Sequence, residues 1–230
     1  MRWVTFDCFG TLIDWNGGFA SLLRPIAGGR TVALLAEYHR AERAVETKKP
    51  YLPYKNVLTE SLRNAAASIG ISVSDAQART LPESWHRLPV FADVEPMLKT
   101  LRESGYSTGV LTNCDDDLFA LTHRSFFSPF EIVVTAEQVR DYKPSPAHFH
   151  RFAALAQPDD WVHVACSWYH DIVPAKALGV KRVWLDREGT GEDPAAASSR
   201  VTSAHDVAAA MARLACDRPT RRARVLRWPS

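Results

Sequence analysis

"WVTFDCFGTLIDW", residues 3–15, begins as a run of strand-forming residues that stops at one carboxylate, Asp7, and turns apolar again after Gly10 and Thr11. Residues 2–6 read as a short buried strand. An acid at the end of such a strand is costly to bury unless it has partners or a task. Two places on stands an aromatic, Phe9, and not a second acid.

Beyond this strand the pattern changes. "TVALLAEYHRAERAVE" (31–46) and "NVLTESLRNAAASIG" (56–70) show helical spacing with polar faces, broken by "KKPYLPY" (48–54). No strand pattern interrupts the stretch from about 17 to 88, which predicts an all-helical insertion. After "LPVFADV" (88–94), strands and helices alternate. Strands are expected at 2–6, about 107–111, 131–134, 161–166 and 181–185, with helices near 93–104, 115–126, 146–157 and up to Gly179. Such alternation implies a parallel sheet with helices on both faces. The expected fold is α/β, a doubly wound parallel sheet with a helical cap inserted after the first strand. Residues 1–14 with 91–215 would form the core and 15–90 the cap. The arginine-rich tail, 216–230, would be solvated and flexible.

A chain of 230 residues can bury a sizeable core, and its net charge of +2 makes no case for nucleic acid or membrane binding. Cys8, Cys114, Cys166 and Cys216 are scattered and form no C-x-x-C pair, so neither a metal cluster nor a disulfide framework is expected. No signal-like N-terminus and no bilayer-length apolar run is present, which together with the cysteines predicts a cytoplasmic protein.

In an open parallel sheet, ligands bind outside the carboxyl ends of the strands. Polar residues fall at those ends: Asp7, Thr112 with Asn113, Lys143 in "DYKPSP", and Cys166, Ser167 and Asp171 after "WVHVA". Each alone has a bland explanation as a helix cap, a turn residue or a solvated charge. Delivered to one rim by four segments, they predict a shared active site.

"FDCFGT", "LTN", "YKPSP" and "CSWYHD", in this order with a helical insertion after the first, resemble the haloacid dehalogenase superfamily over nearly the whole chain except the tail. Phosphatases of that superfamily carry D-x-D-x-T, whose second acid protonates a leaving alcohol. Here that place is Phe9, and Cys166 stands where the fourth motif usually offers an acid for magnesium. The resemblance is therefore to the metal-independent 2-haloacid dehalogenase branch, a Rossmann-like core with no cofactor, in which halide leaves as an anion and needs no proton.

The resemblance implies residue roles. Asp7 would attack the substrate carbon and form an ester. Lys143 would favour its charged form. Asp171 would act as general base for the hydrolytic water, with Ser167 orienting it. Thr11, Thr112 and Asn113, with the backbone at Cys8 and Phe9, would hold the carboxylate of a small carboxylic acid. Arg30, in "GGRTVALL", would accept halide, with Arg40 and Arg43 further along the same helix. Tyr51, Leu52 and Tyr54 would close over the site. A homodimer is expected by the same resemblance. Three positions depart from the branch: Phe149 for a tyrosine, Trp168 for an asparagine beside the water, and His170 before Asp171. A bulky Trp168 would reshape the pocket. The alternatives are a magnesium-dependent phosphatase and a related aspartate-nucleophile hydrolase with a non-halide substrate, such as a strained ring opened at a carbon bearing nitrogen. A non-enzymatic protein on a retained fold ranks last.

Overall fold

The computed structural model describes residues 1–216. The tail therefore lies outside the described residues, apart from Cys216, which ends the last helix and so belongs to the folded part. The first strand, β1 (Arg2–Phe6), is followed by α1 (Trp15–Ala27), α2 (Thr31–Glu46), α3 (Tyr54–Ser68) and two single turns, α4 (Asp75–Ala78) and α5 (Thr80–Glu83). Then come α6 (Val94–Glu103), β2 (Ser107–Thr112), α7 (Asp116–His123), β3 (Ile132–Thr135), α8 (Ala136–Val139) and α9 (Ala147–Ala156). The chain closes with β4 (Asp160–Ala165), α10 (Val173–Ala177), β5 (Lys181–Leu185), β6 (Ser199–Val201) and α11 (Val207–Cys216).

All the strand pairs are parallel, in the order β3-β2-β1-β4-β5-β6. The chain builds outward from β1 on one side and then crosses to β4 on the other. That reversal opens a crevice at the carboxyl ends of β1 and β4, where Asp7 and Asp171 are carried. Alternation along β1 divides its side chains between two cores. Val4 and Phe6 pack with Val162, Val164, Met97 and Leu98 on one face. Trp3 packs with Phe149, Phe152 and Trp161 on the other. Covered on both faces, the strands read as near-continuous apolar runs.

Every element between β1 and β2 is helical. Phe19, Leu23, Leu34, Tyr38, Leu58 and Leu62 of α1–α3 join the same apolar cluster as Val4 and Phe6. Trp85 knits this region to the sheet: its ring lies 4.6 Å from Phe9 and 5.8 Å from Tyr54, and its Nε1 donates to Thr122 Oγ1 at 3.1 Å. Phe9 thus has a packing partner where an acid would have faced an aromatic wall.

Three elements were not anticipated: the single turn α8, the strand β6 and the last helix α11. The strand β6 has three residues, too few to show a period, and α11 is built largely of alanine, which marks no face.

The loop after Asp7 turns on Gly10, at φ +89°, where a Cβ would sit 2.8 Å from Cys166 Sγ. Gly10→Ala should therefore destabilise the protein by about 1–2 kcal/mol from backbone strain alone, read from urea unfolding midpoints. Adding Cys166→Ala should recover only the steric part. An unchanged midpoint in the single variant would mean that the loop relaxes freely.

Candidate active site

Lys143 lies between α8 and α9 and runs its side chain under the ends of β1, β2 and β4, where it is 1 % exposed. Its ammonium spends all three protons: to Asp7 Oδ1 at 2.9 Å, to the Leu111 carbonyl at 2.8 Å and to Asp171 Oδ1 at 2.7 Å. Burial pushes its pKa down, but Asp171 and Asp7 together outweigh that and hold it above the ordinary lysine value. Asp7 Oδ2 accepts from Thr11 Oγ1 at 2.8 Å, and Thr11 Oγ1 accepts in turn from the Cys166 backbone N–H at 2.9 Å. Both oxygens of Asp7 are thereby oriented at the floor of a cavity.

Asp171 sits in a π-helical turn, Trp168–Ile172, that precedes α10. Its Oδ1 is bonded by Lys143 and also lies 3.0 Å from His163 Nε2, whereas Oδ2 is buried without a partner. Burial raises the pKa of Asp171, but Lys143 first and His163 next pull it net below the usual carboxylate range.

The cavity has a volume of about 660 Å³, the size of a small-molecule site. Asp7, Phe9, Asn113, Lys143, Cys166, Ser167, Trp168 and Asp171 line it, as the sequence led us to expect, together with Tyr54. Other expected members do not reach it. Arg30 donates to the Ile69 carbonyl at 3.1 Å on the outer surface, because it precedes α2 and does not lie on its inner face. Arg43, one turn from the end of α2, lines the cavity mouth instead, 5.5 Å over the Tyr169 ring. Thr112 is fully buried beneath the site, its hydroxyl toward Cys114 Sγ. The Cys8 side chain points into the apolar core. Ser167 caps the π-helical turn by accepting from the His170 N–H at 3.1 Å, so its hydroxyl serves His170 and not Asp171. Asn113 uses both amide protons, on Glu46 Oε1 and the Lys143 carbonyl, while its Oδ1 accepts from the Lys143 N–H at 2.7 Å. It clamps the lysine loop and has no proton left for a substrate. Tyr51 stacks on Tyr142, away from the cavity.

The helical wall held a surprise. Glu42 and Glu46, one turn apart on α2 and assigned no role from the sequence, are both buried and line the cavity. Tyr38 and Tyr54 donate to Glu42 Oε1 at 2.9 and 2.7 Å. Burial, and then the neighbouring Glu46, push Glu42 up to about 8. The signal was present in the sequence: with Leu34, Tyr38 and Val45 inward, Glu42 falls on the apolar stripe.

A family model described as haloacid dehalogenase-like hydrolase matches residues 1–179. The chain belongs to this family. Over 196 residues, 83% of this chain and 88% of the other, it is 24% identical to haloacetate dehalogenase H-2 of Moraxella sp. (strain B). It is also 31% identical over 129 residues to a phosphoserine phosphatase of Thermus thermophilus, spanning 52% of this chain and 51% of that one. In fold it is similar to the crystal structure of an L-2-haloacid dehalogenase, with a TM-score of 0.83 at 22% identity, covering 91% of this chain and 97% of the other. This haloacid dehalogenase-like hydrolase has no helix, among the described residues, long and apolar enough to cross a membrane.

Magnesium, which phosphatases of the superfamily use, fits these residues poorly. It wants several hard oxygen ligands. Here the facing oxygens of Asp7 and Asp171 are both bonded to one ammonium. Cys166 offers a thiol whose pKa burial, and then Asp7, push up, so it stays protonated and is a poor ligand for a hard cation.

Removing the lysine would leave two buried carboxylates facing each other. Lys143→Met should cost about 3–5 kcal/mol in urea unfolding, and adding Asp171→Asn should recover part of it. A loss below about 1 kcal/mol would show that the pair is not held by this ammonium.

Proposed function

We propose that this hydrolase uses Asp7 as a nucleophile at a saturated carbon, without metal, and that its substrate is a small 2-haloacid. The observation carrying the reading is one ammonium shared by two carboxylates that have different freedom. Asp7 lies open to the cavity behind Phe9, and Asp171 has one buried oxygen unpartnered. In the first step an Asp7 oxygen forms a bond to the substrate carbon as the carbon–halogen bond breaks, and halide leaves with the electron pair. Phe9 has no proton to give, and halide needs none. In the second step Asp171 Oδ2 takes a proton from water, and the hydroxide adds to the ester carbonyl. Collapse expels the alkoxide, which takes the proton held by Asp171; the Asp7 carboxyl loses its own proton to solvent, and the 2-hydroxy acid, inverted at carbon, is released. The resemblance to a haloacetate dehalogenase supports the substrate class, and Arg43, at the mouth, is a cation that could accept halide.

A second reading is favoured by Glu42. Burial and Glu46 raise its pKa to about 8, which favours the protonated carboxyl near neutral pH. A nitrogen leaving group needs such a donor, so the same attack by Asp7 would suit a strained cyclic amine.

The test is a halide-release screen of chloro- and bromo-acids of both hands, run in EDTA beside strained cyclic amines. Halide release unaffected by chelation is expected, and Asp7→Asn should lower it by about a thousandfold or more. Asp171→Asn should accumulate an adduct on Asp7 visible by mass. Glu42→Gln should spare halide release and slow only ring opening. An adduct on any other residue, or turnover confined to p-nitrophenyl phosphate with magnesium, would overturn the proposal.

A further inference from the structure

On the α9 face of the sheet, a line of polar side chains runs through an otherwise apolar layer. Trp161 Nε1 donates to Thr5 Oγ1 at 2.8 Å, Thr5 Oγ1 lies 2.9 Å from His163 Nδ1, and His163 Nε2 lies 3.0 Å from Asp171 Oδ1. Thr5 and His163 are register partners on β1 and β4. Thr5, His163 and Asp171 are fully buried and Trp161 is 7 % exposed. The edge of Phe149 closes the histidine, with ring centroids 5.0 Å apart at 71°. The residue at position 149 thus offers no hydroxyl, and the polar contact to this corner comes from β4.

The direction of the line follows from its chemistry. An indole N–H only donates, so Thr5 Oγ1 accepts it. Were His163 to donate from Nδ1 as well, the buried Thr5 proton would be left without an acceptor. The arrangement that satisfies every donor sends the Thr5 proton to Nδ1, leaving the His163 proton on Nε2, directed at Asp171. Asp171 Oδ1 then receives two N–H groups, from Lys143 and His163, while Oδ2 receives none. Two donors on one oxygen prevent the carboxylate from exchanging its oxygens.

We propose that His163 is a positioning residue for Asp171: with its tautomer set by Thr5 and Trp161, it pins Oδ1 so that Oδ2 alone meets the hydrolytic water. This rests on the reading of Asp171 as the base for ester hydrolysis. A histidine buried only for packing would hold the fold and leave the two chemical steps equally affected. A positioning histidine acts on the second step alone.

The groups facing Asp171 are Lys143, with Asp7 beyond it, and His163, while His170 precedes it in the same turn. Loss of the His163 N–H removes a contact that favours ionised Asp171, so its pKa should rise and the acid limb of ester hydrolysis should move to higher pH.

The experiment combines single-turnover kinetics with nitrogen-15 spectra of histidine-labelled protein. In His163→Leu, ester formation should stay within about twofold, while ester hydrolysis slows by roughly ten- to a hundredfold, as for other supports of a reacting group. Its acid limb should shift upward. His163→Gln, which keeps an N–H near Nε2, should restore most of the second step. Thr5→Val, close in shape to threonine, should slow hydrolysis and lose the single tautomer. In the wild type the spectra should show His163 carrying its proton on Nε2, with Nδ1 accepting from Thr5. Equal slowing of both steps, no rescue by glutamine, or a proton on Nδ1 would overturn the proposal. A wild type that forms no ester but shows the expected tautomer would instead locate the failure in the aspartyl-ester reading, and the hydrolytic role would fall with it.

Discussion

A single ammonium, buried at the meeting point of three strand ends, carries the site. The three hydrogen bonds of Lys143 join β1 through Asp7, β2 through the Leu111 carbonyl and the turn after β4 through Asp171. Desolvating an unpaired charge this deeply costs several kcal/mol, and only well-formed partners offset it. The lysine therefore needs both carboxylates, and they need it to lie so close together. The surrounding geometry serves that requirement. Asn113 clamps the backbone of the lysine, Thr11 orients the far oxygen of Asp7, and Gly10 lets the loop pass Cys166.

The same triad divides labour between two chemically identical groups. Asp7 ends a strand and lies open to the cavity, whereas Asp171 is enclosed in a π-helical turn with one oxygen held from two sides. In the proposed reaction it is environment, and not residue type, that would make one the attacking group and the other the base. Above them the helical wall presents Glu42 and Glu46 close in and Arg43 at the rim. A purely anionic substrate would meet acids there. Burial and Glu46 raise the pKa of Glu42, which favours its neutral form; protonated, it would lower that repulsion and offer the wall a hydrogen-bond donor.

Much of this was legible in the sequence, for identifiable reasons. Strands buried on both faces leave continuous apolar runs, and polar residues at their carboxyl ends stand out against them, so Asp7, Lys143 and Asp171 could be assigned to one rim. What escaped depended on rotation and distance. Arg30 precedes α2 and Arg43 lies in its last turns, and which of them faces inward is fixed only when α2 packs on α1 and α3. Thr112 and Cys8 lie beside the rim but point beneath it, which the two-residue period of a strand end does not resolve. His163 was overlooked because a lone polar residue in "WVHVAC" has no partner visible along the chain. Its partners, Thr5 and Asp171, are met only across the sheet and beyond the next turn.

The central claim is that Asp7 becomes an ester whose own carbonyl is attacked by water. The most direct measurement is one turnover in oxygen-18 water with enzyme in excess, followed by mass analysis of the peptide containing Asp7. The account predicts one heavy oxygen in the Asp7 carboxylate and an unlabelled hydroxyl in the product. Label in the product hydroxyl with none in Asp7 would mean that water attacks the substrate carbon directly, and would contradict it.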